Sequence, residues 1–295
     1  MTKPSHMSSM LIPIVFGVAS IAFGAACRHT GAQSTTQPRP QRNAQPIDTL
    51  VDVGGYRLHF NVMPGKGMPI LFESGGGDDG TVWIPLLKQI SESLGTTLIT
   101  YDRAGFGKSQ IDTNQHGIVN GIQGLEIGLK SLGFTGEIML VAHSLGGFYA
   151  TLYASRHPNE IKTAVFIDTN TSCFFTDEFI RKEEDKIKSK MEEFKRDNVG
   201  VYYIYGDLQA TVDIMRKTAF PSHISVIDIV AERTPFEGTP DAERWKACHR
   251  QFVDASPNRQ GIMAHGSGHY VFQEKRELVI DAIVKAYKDA VTKAL

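Results

Sequence analysis

The sequence is poor in several things that would have pointed elsewhere. Only three of its 295 residues are cysteine, Cys27, Cys173 and Cys248, and their spacing fits no zinc site. Neither sign of charge is in excess, with 31 Lys and Arg against 32 Asp and Glu and a formal net charge of -1. No basic surplus points to nucleic acid, and there is no acidic tail. The most glycine-rich stretch, Gly75-Gly76-Gly77, lacks the lysine and the spacing of a phosphate-binding P-loop. After residue 26 no run is long and apolar enough to span a bilayer as a helix. There are no internal repeats. What is plentiful is apolar residue, 41% of the chain, enough for a sizeable core in one large domain or two small ones.

The one long apolar run, from about Met10 to Ala26, follows Lys3 and precedes a stretch rich in Gln, Thr and Pro. It has the form of a bacterial secretion signal. Three outcomes are open. Ala25-Ala26-Cys27 resembles the end of a lipoprotein signal, with Cys27 as the lipidated residue, although Gly24 stands where leucine is usual. Thr30-Gly31-Ala32 offers an ordinary small-x-small cleavage site. An uncleaved run would be a membrane anchor. All three place the rest of the chain outside the cytoplasm, whether periplasmic, anchored to the envelope or secreted, with membrane association through the N-terminus. Residues 1–32 are therefore expected to be a signal peptide or lipoprotein anchor segment, 33–46 a flexible linker and 47–295 the functional domain. An oxidising compartment allows a Cys173–Cys248 disulfide; two separate buried thiols are the other reading.

The stretch that organises the chain is Glu137 to Tyr153, EIMLVAHSLGGFYATLY. Ile138 to Ala142 read as a buried strand, Ser144 follows at once, and small and apolar residues at helical spacing come next. A serine at the apex of a strand–turn–helix is strained and carries its Oγ out above the sheet. Ala142, Gly146 and Gly147 are small where the two backbones converge. The helix N-terminus points at the serine and leaves the Leu145 N–H to stabilise a developing oxyanion. His143 is adjacent in sequence and is expected to pack rather than act.

Elsewhere, two strands flank Gly54-Gly55 between Asp48 and Met63, Pro69 to Phe72 is a short strand, and Trp83 to Leu94 a helix. Thr97 to Tyr101 reads as a strand, Ile118 to Leu132 as a helix, and Thr163 to Asp168 as a strand ending in a carboxylate. Residues 171–221 change character, with a charged helical run and aromatics at Phe174, Phe175, Phe179, Tyr202, Tyr203 and Tyr205. A strand over Ile224–Val230, a helix over Asp241–Asp254, a strand over Gly261–Ala264 and one helix over Glu274–Ala294 complete the alternation. Such alternation gives an α/β architecture on a mostly parallel sheet, with chemistry at the carboxyl ends of the strands.

The elbow around Ser144, LFESGGGDDG from Leu71, YDRAGFGKS from Tyr101 and GSGHYVFQEKRELVIDAI from Gly266 occur in an order that resembles the α/β-hydrolase superfamily, in particular its esterase-like and lactonase-like members. The resemblance covers about Ile47 to the C-terminus. It implies an α/β-hydrolase fold, a central sheet flanked by helices, with residues 171–221 as a helical lid insertion. It implies Ser144 as nucleophile and His269 as base, with His265 far less suited. The second oxyanion donor falls on Gly76, with Gly77 next. The turn from Asp102 is structural, and Arg103 a candidate pocket residue. For the acid, the usual loop reads Ala231-Glu232-Arg233-Thr234-Pro235 and lacks its aspartate. Asp168 is therefore preferred, Glu232 is the alternative, and Asp207 and Glu237 remain. The implied activity is hydrolysis of a carboxylic ester or lactone, a small-molecule substrate, with no metal and no organic cofactor. Amidase or perhydrolase chemistry uses the same residues, and a hydrolase-like binding protein without catalysis is the reading from another class.

Overall fold

A computed structural model describes residues 45–293. The expected signal or anchor segment, Cys27 and nearly all of the expected linker lie outside the described residues. Eight strands, β1 (Ile47–Asp52), β2 (Arg57–Met63), β3 (Ile70–Glu73), β4 (Leu98–Tyr101), β5 (Ile138–His143), β6 (Ile161–Ile167), β7 (Ser225–Ala231) and β8 (Arg259–Ala264), form one sheet in the order β1-β2-β4-β3-β5-β6-β7-β8. The β1–β2 and β2–β4 pairs are antiparallel, and all pairs from β4 to β8 are parallel. The helices are α1 (Ile84–Leu94), α2 (Ile118–Ser131), α3 (Gly146–Arg156), α4 (Asp177–Ile187), α5 (Met191–Asp197), α6 (Val199–Gly206), α7 (Leu208–Met215), α8 (Pro240–Asp254), α9 (Val271–Glu274) and α10 (Arg276–Lys293).

Buried parallel strands are apolar on both faces, and period-two alternation sorts their side chains into two cores. Leu71, Ile138, Leu140 and Val226 face α2, α3 and α8. Ile70, Phe72, Met139, Val141, Ile227 and Ile229 face α1 and α10. The sheet is thus covered on both sides, and the loops at its carboxyl edge are left to build a site. The terminal helix departs from expectation. A short α9 precedes α10, and Lys275 between them leaves the helical region at φ -130. The extra turn buries Val271 and Phe272, with the Phe272 ring 4.7 Å from that of Trp83.

Between β6 and β7 the chain makes the four helices α4 to α7. Thr176 caps α4 by accepting from the Phe179 N–H, with Asp177 and Glu178 in the first turn, as the helix dipole favours. Phe174, Phe175 and Phe179 are buried. The Phe174 ring lies 4.6 Å from Phe236 and 4.9 Å from Trp245, so this cluster belongs to the interior. The start of α6 lies against the Asp102–Gly107 turn without any side chain between. A Cβ on Gly105 would stand 2.8 Å from the Gly200 Cα, and one on Gly200 would stand 2.3 Å from the Phe106 ring.

Cys173 and Cys248 are joined as a disulfide across 75 residues of sequence, tying the segment that leaves β6 to α8. Closing a loop of that length lowers the entropy of the unfolded chain by an amount worth about 4 kcal/mol. Replacing both cysteines by serine is expected to lower the urea midpoint and the melting temperature, the latter by about 10 °C for a domain of this size. An unchanged midpoint would mean that the crosslink contributes nothing to stability.

Candidate active site

Ser144 stands between β5 and α3 with φ 52, in the left-handed region that a side chain seldom occupies. The conformation survives because its surroundings leave no alternative. The Ser144 N–H donates to the Ile167 carbonyl, and its carbonyl accepts from the Asn170 and Gly147 N–H groups. A Cβ on Gly146 would lie 2.5 Å from the Glu73 carbonyl oxygen, and one on Gly147 would lie 2.4 Å from the Thr169 Cβ. The two glycines of the elbow are therefore required by close approach to β3 and to the chain after β6.

Asp168 is one residue beyond β6, wholly buried and also left-handed, at φ 45. Its Oδ2 lies 2.6 Å from His269 Nδ1. Its Oδ1 accepts the Ala231 N–H at 3.0 Å and the Trp245 indole N–H at 2.9 Å. Burial opposes the charge, but the bond from His269 and the donors around the carboxyl hold it below the usual aspartate value, as a carboxylate. A carboxylate only accepts, so His269 Nδ1 is the donor, and in the neutral ring Nε2 is left with a lone pair. Trp245, on α8, has no signature in the sequence. The nearby His249–Asp228 pair, 2.8 Å apart and buried, has none either.

The other carboxylates considered lie elsewhere. Glu232 is exposed, accepts the Gly266 N–H at 2.6 Å, and faces His265, not His269, at 3.2 Å. Asp207 pairs with His116 at 2.5 Å, and Glu237 is exposed. His143 is buried, and burial drives its pKa well below the ordinary value. Its Nε2 donates to the His269 carbonyl at 3.1 Å and its ring packs, tilted, 4.6 Å from that of His269, so it supports the loop that carries His269.

Gly76 and Leu145 are brought together: a Cβ on Gly76 would touch the Leu145 side chain at 3.4 Å. Neither backbone N–H of the two donates to a backbone carbonyl among the described residues. Gly77, at φ 94, faces open space.

A family model of the α/β hydrolase fold matches residues 68–199. Together with the sheet order and the two-sided layering, this shows the α/β-hydrolase fold. It is 24% identical to an uncharacterized Bacillus subtilis protein, YqjL, over 242 residues, which are 80% of this chain and 90% of that one. It is 34% identical over 104 residues to a (lyso)-N-acylphosphatidylethanolamine lipase of Bos taurus, which are 34% of this chain and 30% of the lipase, so the match spans less than a third of that enzyme. The structure of a thermophilic esterase from Thermogutta terrifontis superposes with a TM-score of 0.59 at 19% identity, covering 84% of this chain and 99% of the esterase.

Beneath the Glu73–Gly77 loop lies a buried polar network that the motifs do not reveal. Arg103, 5% exposed, donates from Nη1 to the Ser74 carbonyl at 2.5 Å and from Nη2 to the Gly75 carbonyl. Its Nη1 is 3.7 Å from Glu73 Oε2, and the Tyr101 hydroxyl lies 2.8 and 2.9 Å from the two Glu73 oxygens. Burial pushes the Glu73 carboxyl up to about 7, against the pull of the guanidinium and the hydroxyl. Arg103 also lines a mostly apolar cavity with Phe106, Leu145 and Tyr149, roofed by Tyr203, Ile204 and Leu208 of α6 and α7. Of the tyrosines singled out in the sequence, Tyr203 is the one that reaches this cavity.

Proposed function

We propose that this protein of α/β-hydrolase fold is an exported serine hydrolase that cleaves a carboxylic ester or a lactone through an acyl-enzyme on Ser144. The observation that carries the reading is the 2.6 Å bond from His269 to a buried Asp168 whose second oxygen is already held by Ala231 and Trp245, at the strand edge that also presents Ser144. In that arrangement His269 Nε2 takes the hydroxyl proton as Ser144 Oγ attacks the carbonyl carbon. The Leu145 and Gly76 N–H groups hold the oxyanion. Collapse expels the alcohol, which leaves with the proton from His269. Water then attacks the acyl group, gives its proton to the same nitrogen, and the acid departs as Ser144 regains its hydrogen. The helices between β6 and β7 serve as the lid, and the cavity under α6 and α7 takes the apolar part of the substrate.

The esterase and lipase among the similar proteins support this choice of bond. Export is supported by the N-terminal apolar run and by the disulfide, which persists in oxidising compartments.

A fluorophosphonate probe is expected to label the purified protein on Ser144, located by peptide mass spectrometry. p-Nitrophenyl esters graded by acyl length, with a few lactones, then rank the substrates. A protein that takes no label and turns over none of them is the non-catalytic binding protein instead. The mature N-terminus tests export separately: a lipidated Cys27 means an anchor, Gln33 means ordinary secretion, and an intact Met1 on protein confined to the cytoplasm overturns it.

A further inference from the structure

The geometry assigns Arg103 a role as the residue that aims the oxyanion donor of the Glu73–Gly77 loop, which rests on the reading of Ser144 as nucleophile. The Gly75 carbonyl and the Gly76 N–H belong to one planar peptide, which is trans here, so the two groups point to opposite sides of the loop. Whatever holds the carbonyl therefore directs the N–H. Arg103 Nη2 holds that carbonyl from beneath, and Nη1 holds the Ser74 carbonyl at 2.5 Å. The only other backbone donor to the Gly75 oxygen among the described residues is the Asp78 N–H at 3.4 Å, a weak contact. With both carbonyls drawn under the loop, the Gly76 N–H is presented on the far side from the guanidinium. That residue lies beside Leu145, the other donor.

A loop with glycine at positions 75, 76 and 77 has no side chains to fix its peptide planes, and a flipped 75–76 peptide would present a carbonyl oxygen where an oxyanion must form. The clamp answers that weakness. Arginine suits it because its rigid fork binds two neighbouring acceptors at once and stays charged when buried. A charged donor on a carbonyl also polarises the whole peptide and makes its N–H a stronger donor. Arg103 is itself held by the Glu73 carboxyl at 3.7 Å and by the rings of Tyr149 and Phe106, 4.9 and 5.6 Å from its guanidinium carbon. It does not touch the reacting atoms and is a positioning residue.

The test compares Arg103→Met and Arg103→Lys with wild type on the best p-nitrophenyl ester. Losing the aim of one oxyanion donor is expected to lower kcat about 100-fold in Arg103→Met, with a much smaller change in KM from the altered cavity wall. Affinity for a trifluoromethyl ketone mimic of the tetrahedral state should fall by the same factor as kcat, and that for a ground-state amide inhibitor by about 10-fold less. Arg103→Lys, which keeps the charge but can reach one carbonyl well, should lose about 10-fold. A merely structural role would lower the melting temperature and raise KM without this selective loss for the ketone. Equal kcat in wild type and both variants overturns the assignment, as does a loss of ketone and amide affinity in equal measure. If Arg103→Met does not fold, Arg103→Lys decides alone on the same two inhibitors. Wild-type protein that neither hydrolyses esters nor takes the fluorophosphonate label overturns the serine-hydrolase reading and this role with it, before any variant is consulted.

Discussion

Ser144→Ala is expected to lower ester hydrolysis by about 10⁵ to 10⁶-fold while the protein stays folded. Removing the nucleophile abolishes the covalent route, and what survives is the catalysis that an oxyanion hole and substrate binding give an unactivated water. The fold should be indifferent. Alanine keeps the Cβ that serine already carries at φ 52, so the backbone strain is unchanged, and the backbone bonds to Ile167, Gly147 and Asn170 do not involve the hydroxyl. Purified Ser144→Ala should match wild type in circular dichroism and melting temperature, and should take no fluorophosphonate. Near-wild-type turnover by the variant would remove Ser144 from the mechanism.

Asp168→Asn should cost about 10⁴-fold in kcat, the size seen when the acid of a serine protease triad becomes an amide. Asparagine can still accept from Ala231 and Trp245 through its oxygen. Its NH₂ then faces His269 Nδ1 and forces that nitrogen to accept, which moves the ring proton to Nε2. A ring protonated at Nε2 cannot take the serine's proton. Glu232→Gln is expected to change kcat less than about twofold, because Glu232 is exposed and engaged with His265 and the Gly266 N–H. Measured side by side at matched folding, a loss confined to Glu232→Gln would show that Asp168 is not the acid.

The contrast between those two carboxylates marks where the sequence stops being informative. Buried strands and the elbow were legible, because apolar runs, alternation and small residues around Ser144 are local signals. The pairing of Asp168 with His269 joins residues 101 apart, and the choice against Glu232 depends on the direction each loop takes after its strand. Trp245, 77 residues from Asp168, is an ordinary core tryptophan until α8 is placed over β7. Arg103 reads as a pocket residue and does line the cavity, but its burial beside Glu73 and its hold on the Ser74 and Gly75 carbonyls, 29 and 28 residues away, leave no local signal. The choice between a disulfide and two thiols was equally closed to the sequence, since it depends on a Cα separation, 5.6 Å. The break at Lys275 was missed because the helical pattern runs on through it, and only the burial of Val271 and Phe272 explains the additional turn.

The contact between Gly105 and Gly200 bears on how freely the helices between β6 and β7 can be exchanged. A run of helices between two neighbouring strands can be exchanged as a cassette, and such a swap is a direct way to vary a scaffold. Here the cassette and the scaffold share a seam in which one residue of each has no room for a single added carbon. A donor cassette with alanine at its counterpart of Gly200 would meet Phe106, and a scaffold with a side chain at Gly105 would meet the backbone of any cassette seated as closely. The two positions form one unit of inheritance. A graft that moves α6 must bring the residues of the Asp102–Gly107 turn with it, and those residues include Arg103.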